Sequence, residues 1–146
     1  MAKTLTLSFP WGSWAALGLA FILAAVGASA ARSAELAGSE WRPTQIGELR
    51  LGEEAGIFLR FAADGRVNGH GGCNGFFGSY ELSNDTLTFS RMGVTQMACP
   101  EEIMGREQAF FAALGKVKSF VRDGTVLVLS DDSGNEVARF QQTDWD

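Results

Sequence analysis

The sequence predicts a mostly β domain of the α+β class: a small curved antiparallel sheet, or open barrel-like meander, with one amphipathic helix packed on it. Short apolar runs are separated by tight-turn signals, and residues 86–89 alternate polar and apolar as a half-buried strand does. One segment, 100–117, instead spaces its apolar residues as a helix does. The 146 residues, 46% hydrophobic and 20% charged, fit one globular domain.

The strands are expected in hairpins, because turn residues separate consecutive apolar runs. In chain order the signals are Asp64-Gly65 between 57–61 and 66–68, Asn84-Asp85 between 80–82 and 86–89, Asp123-Gly124 between 119–122 and 125–129, and 132–135 before 137–140. Both Asp-Gly pairs predict type I′ turns, in which the two central residues have positive φ. Short strands joined in this way indicate an antiparallel barrel or a strongly curved sheet.

The segment 100–117 predicts the helix. Pro100 suits the first helical position, where no N–H bond is lost, and the acidic residues after it face the positive end of the helix dipole. One arc of the helix carries the apolar residues Ile103, Met104, Phe110, Phe111, Leu114 and Val117. The opposite arc carries Glu101, Gly105, Gln108, Ala112 and Lys116. We therefore expect the apolar arc to lie on the open face or the mouth of the sheet.

Glu107 falls within the apolar arc of this helix. A buried carboxylate costs free energy unless it is paired or hydrogen-bonded. The structural interpretation is an anchor that accepts hydrogen bonds from backbone N–H groups of a neighbouring loop, or pairs with an arginine. Two alternatives stay open: a general acid or base with a raised pKa at a pocket, or a side chain at the edge of the arc that reaches water.

The segment 69–78 is the most biased in composition, with five glycines in ten residues. This density indicates positive φ or close backbone approach, as at a tight strand-to-strand crossover or barrel corner. A phosphate cradle is the alternative, but no Gly-Lys-Ser/Thr follows. Cys73 lies in this segment and Cys99, the second of two cysteines, precedes the helix. The pair predicts one disulfide, with two buried free thiols or a redox pair as alternatives.

The sequence contains no assembled catalytic or cofactor site, and we expect neither a catalytic residue nor a bound cofactor or metal. His70, Cys73, Met97 and Cys99, with Met92, could be drawn as a Cu(I) site, but core methionines and a loop histidine are the commoner explanation. Two cysteines and one histidine fall short of the four ligands of a structural zinc. The proximity of His70 to Cys73 in sequence does not establish a catalytic dyad, and no Gly-x-Ser-x-Gly elbow occurs.

Residues 1–30 are predicted to be a secretory signal peptide. The apolar run 14–26 is too short to span a bilayer comfortably, and it is followed by Ala28-Ser29-Ala30, with small residues at the positions that a signal peptidase reads. Cleavage is expected after Ala30, which leaves residues 31–146 as a single domain; an uncleaved anchor helix is the alternative. No cysteine lies near the cleavage point, so a lipid anchor is not expected.

The charge balance is acidic, with twelve Lys and Arg against seventeen Asp and Glu and a net charge of −5. A nucleic-acid binder would present a basic face, so nucleic acid is not an expected partner. No membrane span is expected in residues 31–146, and a monomer is expected. A small apolar ligand could be held in a cavity lined by phenylalanines, although core packing is the usual role of such side chains. The phenylalanines that could line it are Phe58, Phe76, Phe77, Phe89, Phe110, Phe111, Phe120 and Phe140.

Several blocks of the sequence resemble a known family. Residues 36–41, ending in Trp41, are similar to its opening, and 61–69 followed by 72–80 (Gly-Cys-Asn-Gly-Phe-Phe-Gly-Ser-Tyr) resembles its central signature. Residues 87–89, then 95–100 (Thr-Gln-Met-Ala-Cys-Pro), then Glu107 and 110–114 complete the likeness. On these residues the chain is identified as a member of the META domain family, which includes the HslJ-like heat-shock proteins. The resemblance covers about residues 36–141.

This resemblance implies a small, strongly curved antiparallel sheet with one helix, in a periplasmic or otherwise exported protein of the cell envelope. It implies structural roles for the family-motif residues Trp41, Gly72, Asn74, Gly78, Tyr80, Thr95 and Glu107. It brings no catalytic residue with it. The function expected is non-enzymatic: a role in heat shock, stress or novobiocin-type antibiotic tolerance through an unknown envelope partner. A carrier of a small apolar ligand is the alternative, followed by an enzyme that uses Glu107.

Overall fold

The computed structural model describes residues 35–143 of the chain. The predicted signal peptide, residues 1–30, lies outside the described residues. The elements in chain order are β1 (Ser39–Ile46), β2 (Leu49–Arg50), a short 3-10 helix (Glu53–Ala55), β3 (Ile57–Phe61), β4 (Arg66–Gly71), β5 (Gly75–Ser83), β6 (Thr86–Phe89), β7 (Gly93–Val94), α1 (Glu101–Lys116), β8 (Ser119–Asp123), β9 (Val126–Ser130) and β10 (Glu136–Gln142).

Eight of the described strands close into an antiparallel barrel. β3, β4, β5 and β6 pair in chain order, β6 meets β8, and β8, β9 and β10 again pair in order. β1 completes the ring, because Trp41 lies opposite Leu59 of β3 and Gln142 of β10. β2 and β7 are short additions to β1 and β5. The predicted fold class is confirmed, and the barrel is closed rather than open.

The turn signals lie between strands as predicted, but the turn type was wrong at both Asp-Gly pairs. Gly65 and Gly124 have φ of 82° and 56°, whereas Asn84 is the single non-glycine with positive φ among residues 35–143. A type I′ turn needs positive φ at both central residues, so neither Asp-Gly pair forms one. The side-chain carboxylate of Asp64 instead accepts a hydrogen bond from the backbone N–H of Arg66 at 3.1 Å, and this bond stabilises the turn.

The barrel interior and the helix share one hydrophobic core. Buried residues alternate with less buried ones along the barrel strands, and their side chains form a single cluster that includes residues of α1. The largest fully buried side chains are Trp41, Phe61, Phe110 and Phe140. Because Phe110 belongs to α1 and the others to β1, β3 and β10, the helix is part of the core and not an addition to its surface.

α1 packs on the barrel against β1, β4 and β10. The arc predicted to be apolar faces the core, with Phe110 and Leu114 buried, and the five residues predicted on the opposite arc are all exposed. Pro100 is the N-cap and not the first helical residue as predicted; its carbonyl accepts the N–H groups of Ile103 and Met104 at 3.0 and 3.1 Å. No helix within residues 35–143 has the length and apolarity needed to cross a membrane.

Candidate functional site

Glu107 lies in the middle of α1 and is 5% exposed. Its Oε2 accepts the backbone N–H of Cys73 at 3.0 Å and that of Asn74 at 2.6 Å. Its Oε1 accepts a hydrogen bond from the side-chain Nδ2 of Asn74 at 2.7 Å. The donors lie in the turn between β4 and β5, residues 72–74. The carboxylate therefore ties the middle of the helix to this turn, which is the arrangement that the anchor interpretation describes.

The hydrogen bonds decide the ionisation of Glu107. Burial acts to raise the pKa of its carboxyl, but the bonds from the Asn74 side chain and backbone and from the Cys73 backbone outweigh it, and nearby His70 adds to them. The pKa of Glu107 therefore lies below its ordinary value. A general acid at neutral pH needs the opposite shift. The group is an ionised acceptor whose two oxygens are both occupied.

Asn74 is the centre of the hydrogen-bond network and is 3% exposed. Besides its bonds to Glu107, its side-chain Oδ1 accepts the backbone N–H of Met97 at 2.6 Å and the hydroxyl of Thr95 at 3.0 Å. Thr95 Oγ1 in turn accepts the N–H of Gly75 at 3.2 Å. One asparagine thus joins the turn 72–74, the segment after β7 and α1. We refer to Cys73, Asn74, Thr95, Met97, Cys99 and Glu107 together as the Glu107 cluster.

The predicted disulfide is present between Cys73 and Cys99, with Cα atoms 6.0 Å apart. The disulfide connects the turn 72–74 to the segment that leads into α1. The N–H groups of this same turn donate to Glu107. Because the two sulfurs are joined, neither is a thiolate that could bind Cu(I) or act as a nucleophile. Within residues 35–143, no group of three or more His, Cys, Asp or Glu side chains is placed to hold a metal ion.

Two glycines give the turn the space and backbone shape that the cluster needs. A Cβ on Gly71 would lie 2.8 Å from Glu107 Oε2 and 3.1 Å from Phe111 Cε2, so the helix approaches β4 where a side chain is absent. Gly72 has φ of 110°, a conformation that L side chains rarely adopt. The high density of glycines in the sequence predicted both a close backbone approach and a residue with positive φ in this segment. It did not single out Gly71 as the position that faces Glu107.

The other family-motif residues have partners elsewhere in the barrel. Trp41 is fully buried and its Nε1 donates to Ser39 Oγ at 2.6 Å. The hydroxyl of Tyr80 donates to the carbonyl of Ala62 at 2.9 Å. A Cβ on Gly78 would lie 3.2 Å from a methionine Cγ in the segment after β6. These residues support the barrel, whereas Gly72, Asn74, Thr95 and Glu107 meet around the turn 72–74.

His70 and Met97 do not form the soft-metal arrangement that the sequence allowed on paper. His70 lies in β4, whereas a loop position was expected. Its Nδ1 accepts the N–H of Gly72 at 3.1 Å, and its ring stacks with that of Phe58, with the ring centroids 6.5 Å apart. The Met97 residue is 62% exposed, while its backbone bonds Asn74. Sequence reasoning also missed Arg122, whose guanidinium lies 5.1 Å from the centre of the Trp41 ring.

Of the eight phenylalanines that could have lined a ligand cavity, four are buried, three are half-buried and one is exposed. Phe76, Phe110 and Phe140 belong to the packed core, whereas Phe77 is 67% exposed. An open apolar cleft of about 270 Å³ lies between the β6–β7 segment and α1, lined by Phe89, Ser90, Met92, Val94, Phe111, Leu114 and Gly115. Glu107 is not among its lining residues.

The fold and the site together define a class of small closed antiparallel barrels in which one packed helix is fixed by a buried carboxylate and a disulfide. The sequence matches the META domain over residues 34–144. The chain therefore belongs to the META domain family. No curated protein sequence matches it.

Solved structures similar to this chain share its fold. A protein from Burkholderia xenovorans solved by NMR has a TM-score of 0.64 and 21% identity, over 90% of this chain and 99% of that one. A second NMR structure has a TM-score of 0.61 and 16% identity, over 75% of this chain and 92% of the other. A DUF4847 family protein from Bacteroides vulgatus has a TM-score of 0.50 and 19% identity, over 63% and 62% of the two chains.

Proposed function

We propose that this META domain protein is an exported, non-enzymatic protein of the cell envelope that binds a partner and contributes to tolerance of heat and of novobiocin-type antibiotics. The Glu107 cluster is the observation that carries the non-enzymatic part of the proposal, and membership of the META domain family supports the stress role. Its buried carboxylate is the group that chemistry would be expected to use, and both of its oxygens are occupied by the turn 72–74. Among the described residues, no buried polar side-chain atom lacks a hydrogen-bond partner. A network satisfied in this way favours a rigid scaffold over a reacting site.

Export is supported by the disulfide and by the N-terminal segment. Disulfides persist in oxidising compartments and are rare in the cytosol, so Cys73–Cys99 fits a protein that acts outside it. The apolar run 14–26 with its Ala-Ser-Ala ending is the signal that would direct the chain there. Mass spectrometry of the protein from a periplasmic fraction should find a chain that begins at residue 31. A chain that keeps residues 1–30 would contradict cleavage.

Partner binding is supported by apolar side chains exposed near β7. Phe77 lies opposite Gly93 of β7 with its ring against that glycine, where a Cβ would be 2.5 Å from Phe77 Cζ, and it remains 67% exposed. Met97, which follows β7, is 62% exposed. Phenylalanine and methionine are enriched at protein interfaces, so these two are the contact residues to test first.

The test is deletion of the gene in the native host, followed by growth under heat and novobiocin. We expect poorer growth than the parent under at least one stress, restored by the wild-type protein. Phe77→Ser should fail to restore growth, because it removes an exposed aromatic contact without touching the core. Val121→Ser is the matched control, since Val121 is 66% exposed but lies on β8. Equal growth of the deletion and parent strains under every stress would contradict the stress role.

A carrier of a small apolar ligand is the second candidate, and the cleft beside α1 is the observation that favours it. An enzyme that uses Glu107 is the third. Glu107→Gln separates chemistry from architecture, because the amide keeps the shape of the side chain and loses its charge. We expect lower stability with an unchanged phenotype at a permissive temperature. Loss of the phenotype without loss of stability would instead favour catalysis.

A further inference from the structure

The cleft between the β6–β7 segment and α1 has an apolar floor that belongs to the core. Phe89 stacks against the buried ring of Phe61, centroids 6.1 Å apart, and Leu114 is 2% exposed. The walls include Met92, an adaptable side chain, and Val94, which is 38% exposed. Its volume of about 270 Å³ is just below the range of about 300–1,000 Å³ that is usual for small-molecule pockets. A short acyl chain has a suitable size and polarity for such a space.

Gly115 lines the cleft without contributing a side chain to it. It lies in the last turn of α1, and a Cβ built on it would meet no atom within 4 Å. Glycine is a poor helix former, and an alanine or leucine at this exposed helical position would favour the helix. Secondary structure therefore does not require a glycine here, whereas access to the cleft benefits from one.

Two cations are sequence neighbours of lining residues, although the chain as a whole carries a net charge of −5. Arg91 lies between the lining residues Ser90 and Met92, and Lys116 follows Gly115; both cations are exposed. No lining residue is acidic. Lys116 also offsets the negative end of the helix dipole and lies near Asp131, which leaves Arg91 as the cation that an anionic ligand could use.

We propose that this cleft binds a free single-chain amphiphile with an anionic head group, such as a medium-chain carboxylate. The acyl chain lies on Phe89, Phe111 and Leu114, and the carboxylate faces Arg91. The inference rests on the second candidate of the proposed function and identifies its site and its class of ligand. Binding to the purified protein is independent of the phenotype in the host, so the two proposals fail separately.

The experiment is a titration of the protein, expressed from its full sequence and purified after export, with sodium decanoate, followed by amide chemical shifts in NMR spectra. Saturable shifts are expected at residues 90–94 and 114–116. Gly115→Leu should fill the cleft and weaken binding at least ten-fold without lowering the thermal midpoint. Gly105→Leu is the matched control: Gly105 is also an exposed glycine of α1 with open space at its Cβ, but it does not line the cleft, so decanoate binding should be unchanged.

The charge requirement has its own comparison. Arg91→Ser should weaken decanoate binding roughly two- to five-fold, as expected for an exposed ion pair, and leave binding of decanol unchanged. Absence of saturable shifts, equal binding of decanoate and decanol, or full binding by Gly115→Leu would overturn the proposal. Binding to anionic phospholipid vesicles without binding of decanoate would overturn it in favour of a membrane surface.

Discussion

Glu107 carries a negative charge at a position where a charge is costly unless hydrogen bonds replace its hydration. Three donors do so, and all three come from Cys73 and Asn74, two consecutive residues of one turn. Hydrogen bonds to a charged acceptor are stronger than neutral ones, and the protein interior strengthens them further. The same bonds that make the carboxylate tolerable therefore also fix the position of the turn relative to α1.

Glu107→Gln tests this role at the scale of one residue. An amide has one oxygen and one NH₂ group, so either the two backbone donors or Asn74 Nδ2 must face another donor. We expect a loss of about 2–3 kcal/mol in the free energy of unfolding, the cost of a charged hydrogen bond and an unsatisfied donor. Urea denaturation at pH 7 measures it. Glu81→Gln, an exposed change on β5, is the control and should stay within about 0.5 kcal/mol of the wild type. Equal losses in both variants would show that Glu107 is not an anchor.

The turn between β4 and β5 needs close contact with α1, which Gly71 permits. Gly71→Ala places a Cβ 2.8 Å from Glu107 Oε2, and the carboxylate cannot move aside without breaking its bonds to the turn. We expect a loss of about 1–3 kcal/mol, the usual cost of overpacking. Gly75→Ala at the start of β5 is the matched control, since its Cβ would meet its nearest neighbour at 3.8 Å. Thermal unfolding of the two variants should separate them clearly, and equal midpoints would contradict the steric account.

The disulfide acts on the same turn through the chain connectivity. It closes a loop with a sequence separation of 26, for which chain entropy predicts a contribution of about 3–4 kcal/mol. Reduction with dithiothreitol should therefore lower the thermal midpoint by roughly 10–20 °C. The double variant Cys73→Ala/Cys99→Ala should unfold near the reduced midpoint and be insensitive to the reductant. A wild-type midpoint that does not change on reduction would mean that the hydrogen bonds alone hold the turn.

Local patterns predicted most of the elements, and contacts that are distant in sequence account for what they missed. Strands β3 to β6 and β8 to β10 and the burial of α1 followed from alternation, turn residues and helical spacing, which involve near neighbours. β1 was not predicted as a strand, although Trp41 was singled out, because its buried positions include Ser39 and Pro43, which do not fit an alternating apolar pattern, and its partner β10 lies almost a hundred residues away. The type I′ turns were wrong because the aspartates take negative φ, which no short pattern specifies.

The candidate site was predicted in part for the same reason. The helical wheel placed Glu107 on the buried arc, and its need for donors followed from the cost of a buried charge. The disulfide followed from the two cysteines. The hydrogen-bond partners of Asn74 could not be predicted from the sequence, because its side chain joins Thr95, Met97 and Glu107, which lie 21 to 33 residues further along the chain. The cleft beside Gly115 was not predicted either, because a cleft between two elements depends on how they pack and not on the sequence pattern of either one.

At the scale of the whole molecule, the barrel and the helix share one core, and the Glu107 cluster joins α1 to the turn between β4 and β5. The ionisation of Glu107 should therefore appear in the stability of the entire domain. The pKa of Glu107 is lower in the folded protein than its ordinary value of 4.5. A lowered pKa stabilises the fold above the unfolded-state value, and this contribution disappears as the pH falls through the folded value.

The difference in free energy of unfolding between wild type and Glu107→Gln should accordingly be largest near neutral pH and should shrink as the pH falls below about 4.5. The pKa values of Asp64 and Asp131 are also lowered by hydrogen bonds, from Arg66 and Asn135 respectively. Both aspartates are present in both proteins, so their contribution cancels in the difference. Urea denaturation of the two proteins between pH 3 and pH 7 measures it. A difference that stays constant across this range would mean that the variant acts through shape alone, and that the charge of Glu107 contributes nothing to the attachment of the helix.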